Sequence, residues 1–168
     1  MKPSAHLGFT LVELIFVIVI IGVLTAVAVP KFKNLTDNAK ISSELATASS
    51  VQSALDAIHG EWITNTCTFD WGNGQDTATL GQDLNASGYP NVLGNSSTDV
   101  FNLIFKTNTT DWNKTTTNCP AGVTCYTGPA SNPTKGAKLK TPDNAAKPDM
   151  NDYWEYNATN GTFNLINK

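Results

Sequence analysis

From Phe9 to Val29 the chain runs for 21 residues with one charge, Glu13. An α-helix rises about 1.5 Å per residue, so about 20 apolar residues cross the hydrocarbon core of a bilayer. Such a run belongs in lipid or among other apolar helices, since a soluble surface does not carry a patch of that size. A removable secretory signal predicts small residues of the A-x-A type after the run. Pro30, Lys31 and Phe32 stand there instead. A plain membrane anchor tolerates Glu13 near the helix end, below the cost of about 2.5 to 3.5 kcal/mol for a charge at mid-bilayer. A carboxylate in such a helix nevertheless asks for a partner.

The amphipathic pattern changes after Pro30. Ile41, Leu45, Ala48, Val51, Leu55 and Ile58 recur in steps of three and four, which predicts one apolar face of a continuing helix. Lys40, Glu44 and Thr47 are placed elsewhere around it. His59 and Gly60 read as the helix end, with glycine as the cap. One helix is therefore expected over 9–59, with an apolar half, 9–30, and an amphipathic half, 31–59. It would be about 75 Å long at 1.5 Å per residue. Gly22 and Pro30 bracket a weak stretch. Glycine costs about 1 kcal/mol in a helix interior, Pro30 removes the bond to the Ala26 carbonyl, and Val23, Thr25, Val27 and Val29 are β-branched.

Residues 60–168 suffice for one small globular domain. The last part is the most legible. Trp154 and Tyr156 alternate with Tyr153 and Glu155, Asn160-Gly161 is a turn signal, and Phe163 and Leu165 alternate again. This predicts a hairpin whose Trp154, Tyr156, Phe163 and Leu165 face covers the helix stripe. A further strand fits near 123–127. Residues 100–105 suit a strand or a short helix, and Thr98 or Asp99 as a cap favours helix. Pro129, Pro133, Pro142 and Pro148 exclude a central strand between them. The fold class expected is α+β, a long N-terminal helix packed on a small antiparallel sheet.

Charge and cysteine narrow the function. The formal net charge is -3, and all 11 basic residues are lysine. Bidentate recognition of phosphate or guanine favours arginine, so a nucleic-acid reader is not expected. Lys135, Lys138, Lys140 and Lys147 read as a solvated loop. The three cysteines are Cys67, Cys119 and Cys125. Cys119 and Cys125 enclose a short loop that a bridge would stabilise by roughly 2 kcal/mol. Pairing of Cys67 with either is the alternative, and the sequence does not choose. No arrangement for nucleophilic catalysis, phosphate-binding glycine loop or zinc spacing is present, and Asp143 and Asp149 lie in a proline-rich loop ill suited to rigid catalysis. An enzyme is not expected. Asp143, Asp149 and Asp152 could offer oxygen ligands to calcium (Ca2+), although no EF-hand spacing is present.

Gly8, then Phe9-Thr10-Leu11-Val12-Glu13, then the apolar run with Pro30 resembles the N-terminus of type IV pilins and type II secretion pseudopilins. The resemblance is strong over 8–32 and looser beyond. It implies that the leader, 1–8, is cut after Gly8 by a prepilin peptidase and that Phe9 is N-methylated. It implies that Glu13, fifth in the mature chain, is an assembly residue and that the Gly22 to Pro30 stretch melts locally in the fibre. It further implies an inner-membrane, single-pass protein with its C-terminal domain in the periplasm. The partners implied are itself as a helical homopolymer, the peptidase, an inner-membrane assembly platform and minor pilins or pseudopilins. Lysines on both sides of the run do not fix its orientation, so a cytoplasmic N-terminus rests on the resemblance. Major pseudopilins carry calcium before their C-terminal hairpin, which is where the three aspartates lie. The expected function is a structural subunit of a secretion pseudopilus or a surface pilus, with the late hairpin and acidic loop suiting the pseudopilus. The alternative is a minor subunit acting as a tip, adhesion or DNA-binding module.

Overall fold

The computed structural model describes residues 9–64, 68–69, 78–79, 84–138 and 146–168, the side chains at 33, 34, 68, 69, 78 and 79 excepted. Helix α1 spans Leu11–Thr64. Two short strands, β1 (Thr68–Phe69) and β2 (Ala78–Thr79), pair antiparallel. A four-stranded antiparallel sheet follows, ordered β3 (Asn113–Thr115), β4 (Thr124–Thr127), β5 (Tyr153–Asn157) and β6 (Thr162–Ile166). The chain divides into two compact units, one ending at Thr36 and one running from Asp37 to Lys168.

In the second unit the helix stripe and the sheet share one core. Ala48, Val51 and Leu55 pack with Phe101, Trp112, Tyr126, Trp154, Tyr156 and Phe163. Cross-strand pairs Trp154 with Leu165 and Tyr156 with Phe163 form the inner face of the β5–β6 hairpin, as the alternation predicts. The Trp154 and Phe163 rings stack at 5.3 Å, and Phe101 meets Trp112 edge-on at 5.1 Å. Rings of this size dominate a core by apolar area and gain further from such offset and edge contacts. At the hairpin turn Gly161 takes φ +66° and lies under the Tyr89 ring, which a Cβ would meet at 2.0 Å. Only glycine combines that backbone with that approach. The outer edge of β6 is met by the helix: Phe163 N donates to Gln52 Oε1 at 3.0 Å, and Gln52 Nε2 donates to the Gly161 carbonyl at 3.1 Å. Asp56 Oδ1 accepts from the same Nε2 at 3.0 Å and fixes the amide's direction.

Three expectations need correction. The helix does not stop at His59 and Gly60 but continues to Thr64. Packing overrides the glycine: Trp62 joins the Ile58 and Leu84 cluster, and His59 stacks on Tyr89 at 4.4 Å. Glu44, placed off the apolar face, is fully buried. It lies three residues after Ile41 and four before Ala48, so the helix carries it inward with them. Residues 100–105 form a single turn, with Ile104 N and Phe105 N both donating to the Phe101 carbonyl at 3.0 Å. Asp99 does cap it, its Oδ1 accepting from Phe101 N at 3.3 Å. A three-residue strand, β3, also forms where no apolar alternation signalled one.

Candidate functional site

Among the described residues, the apolar start of α1 has no buried side chain, and it is long and apolar enough to cross a membrane. Phe9 precedes the first turn and is 79% exposed. Thr10 caps that turn, its Oγ1 accepting from Glu13 N at 3.3 Å. Thr10 was missed in the sequence, although Thr-x-x-Glu is a capping-box spacing. Glu13 therefore stands in the first helical turn, where an acidic group complements the helix dipole. It is exposed on a surface otherwise made of aliphatic and aromatic side chains. Farther along, Thr25 Oγ1 donates to the Ile21 carbonyl at 2.7 Å, which satisfies the hydroxyl without water. Gly22 has nothing within 4 Å of a would-be Cβ, and Pro30 sits inside the helix without ending it. Gly8, where the resemblance implies a cut, lies outside the described residues.

Chemically, such a helix must be covered by lipid or by other helices, because apolar area of this extent is costly in water. Among the described residues of this run, Glu13 is the one charged side chain.

The remaining candidates lie in the second unit. A disulfide joins Cys119 to Cys125, with Cα atoms 5.7 Å apart. It closes the β3–β4 hairpin, in which Thr115 pairs with Cys125. Cys67, the alternative partner, lies outside the described residues. Asp149 and Asp152 are buried and turned onto their own backbone. Asp152 Oδ2 accepts from Asp149 N at 2.8 Å and Oδ1 from Lys168 N at 2.9 Å, while Asp149 Oδ1 accepts from Asn151 N at 2.9 Å. Calcium takes six to eight oxygens. In the described structure these two carboxyls accept backbone hydrogen bonds, and Asp152 ties the start of β5 to Lys168. Asp143 lies outside the described residues. Among the described residues no group of three His, Cys, Asp or Glu could hold a metal ion. Of the basic loop, Lys135 and Lys138 are exposed, as is Lys147, and Lys140 lies outside the described residues.

Two tyrosines lie deep in the core. Burial pushes the Tyr126 hydroxyl above the ordinary tyrosine value. Burial, with smaller contributions from Tyr126 and Tyr89, does the same for Tyr156, whose hydroxyl donates to the Pro90 carbonyl at 2.5 Å. Both are locked in packing, where they serve the core.

Known proteins resemble this chain in sequence. The family described as the prokaryotic N-terminal methylation motif matches residues 4–29. The chain is 39% identical over 99 residues to the type IV narrow pilus major component PilA5 of Thermus thermophilus, covering 57% of this chain and 84% of that protein. It is 43% identical over 61 residues to a fimbrial protein of Neisseria meningitidis, covering 34% of this chain and 36% of that one. Against the type IV major fimbrial protein FimA of Dichelobacter nodosus it is 31% identical over 100 residues, 57% of this chain and 56% of the other. The matched region thus spans only about a third to a half of the last two. No solved structure matches the chain.

Proposed function

Because this chain belongs to the type IV pilin family, we propose that it is the repeating subunit of a surface pilus. The observation that carries this reading is the uncovered apolar helix with Glu13 in its first turn, joined to a folded domain. In the proposed sequence of events, prepilin peptidase cuts after Gly8 and Phe9 becomes an N-methylated terminus. The subunit waits in the inner membrane, with the unit from Asp37 onward outside the cytoplasm, and then joins a homopolymer. The Cys119–Cys125 bridge supports that location, since such bonds persist in oxidising compartments.

Cutting after Gly8 supplies the cation that Glu13 lacks. The new ammonium of one subunit meets the carboxylate of its neighbour among packed apolar helices. At 4 Å and an effective dielectric near 20 the attraction is about 4 kcal/mol, much of it offset by desolvation. The pair's main contribution is register: an incoming helix that stops short or overshoots leaves two unpaired charges in a dry environment. This makes Glu13 an assembly residue and leaves the protein without a catalytic task.

The names of the relatives favour a pilus over a secretion pseudopilus. All three are pilus or fimbrial proteins, and the match covers most of PilA5, a major component. That name, together with the retained Glu13, also favours a bulk subunit over a tip subunit. The test is expression in a host that has type IV pilus machinery but lacks its own major pilin. Wild-type chains are expected to give surface fibres. Glu13→Ala is expected to insert in the membrane and yield none. Fibres at wild-type yield from Glu13→Ala would remove its role, and fibres confined to the periplasm would favour the secretion form.

A further inference from the structure

Asp37, Lys40 and Glu44 stand at i, i+3 and i+7 of α1, on one face of the helix. All three are turned onto the backbone of a single loop, residues 128–138. Asp37 Oδ2 accepts from Lys138 N at 3.2 Å. Lys40 Nζ donates to the carbonyl of Lys135 and, at 3.4 Å, to that of Gly136. Glu44 Oε2 accepts from Ala130 N at 2.5 Å and Ser131 N at 2.9 Å, and its Oε1 accepts from Trp154 Nε1 of β5 at 2.7 Å. The loop is fitted to this contact: a Cβ at Gly128 would lie 2.6 Å from the Glu44 carboxyl.

Upstream, Leu24, Val27, Val29, Phe32 and Leu35 are 60–64% exposed. That stretch contains Pro30, which removes one helical hydrogen bond. The second compact unit begins at Asp37, where the first of the three charged side chains engages the loop.

We propose that Asp37, Lys40 and Glu44 act as a stop in the helix. Fraying or stretching that begins within 22–36 halts at Asp37, because beyond it the helix is also bonded to a loop of the sheet domain. All but one of these bonds go to backbone groups, so together they resist unwinding as a unit. The load that makes the stop useful rests on the pilus reading: in a fibre under tension, residues up to 36 can lengthen while the sheet domain stays intact.

The test is hydrogen exchange with mass spectrometry on the full mature chain in detergent micelles, comparing wild type with Lys40→Met and Asp37→Leu. Both keep most of the side-chain volume and remove the polar atoms that bond to the loop. Exchange is expected to rise about tenfold over 37–47 and to change by less than about twofold in β4 to β6. An equal rise throughout the second unit, or no rise anywhere, overturns the stop. Glu44→Gln serves as a third variant if its fold survives. In optical trapping, fibres of Lys40→Met subunits should lengthen further than wild-type fibres at the same force, and equal extension overturns the role under load. A wild type that never forms fibres fails the pilus reading instead, and the exchange experiment alone then decides the stop.

Discussion

Glu44 illustrates how a single residue can be misplaced by composition and rightly placed by periodicity. A glutamate in a helix is ordinarily solvated, and that habit puts it on the wrong face. Its spacing from Ile41 and Ala48 puts it inside, and three N–H donors meet it there. The signal was present as geometry and hidden by residue type, because the donors come from residues 86 to 110 positions away. Tyr126 and Tyr156 give a test at the same scale. Below about pH 10 both folded and unfolded chains hold these phenolic protons. As pH rises above 10, the unfolded chain loses them while burial keeps them on the folded one, so unfolding releases protons and stability falls. A plateau in unfolding free energy up to about pH 10 and a decline beyond it are expected. Tyr126 and Tyr156 should ionise only as the fold is lost, which absorbance near 295 nm would follow.

Among the elements, the β5–β6 hairpin and the helix stripe were legible because each repeats its own period in large apolar residues. The β3 strand was not, since Asn113, Lys114 and Thr115 have no inward alternation. It forms because β4 offers an edge and because Lys114 Nζ donates to the Gly94 carbonyl at 2.7 Å. The disulfide closes this hairpin at its turn. Cys119→Ser with Cys125→Ser is expected to lower stability by about 2 kcal/mol on the loop-entropy estimate. Urea unfolding with and without reductant measures it: the wild type should shift to the variant's midpoint on reduction, and the variant should not respond. The helix end was overrun for a related reason. Trp62 finds Gly88, whose would-be Cβ lies 2.4 Å from its ring, and nothing local announces that contact.

For the whole molecule, the two units satisfy opposite demands. The first exposes apolar area, and the second buries its own. The sequence pattern changes after Pro30, whereas the second compact unit begins at Asp37. Removal of residues 1–36 is therefore expected to leave a water-soluble monomer. Its circular dichroism should melt in one cooperative transition, and sedimentation should give a single species near its chain mass. Aggregation of that fragment, or a broad melt, would show that the second unit depends on the first.

Gln52 carries a consequence for any chain whose work is to stack many copies of itself. A bare outer strand beside identical neighbours invites sideways zippering into cross-β deposits, in which the globular heads would fuse and the ordered helical lattice would be lost. By laying its amide beside the turn end of β6, Gln52 occupies Phe163 N and the Gly161 carbonyl, so that this end of the edge is closed to a neighbour's strand.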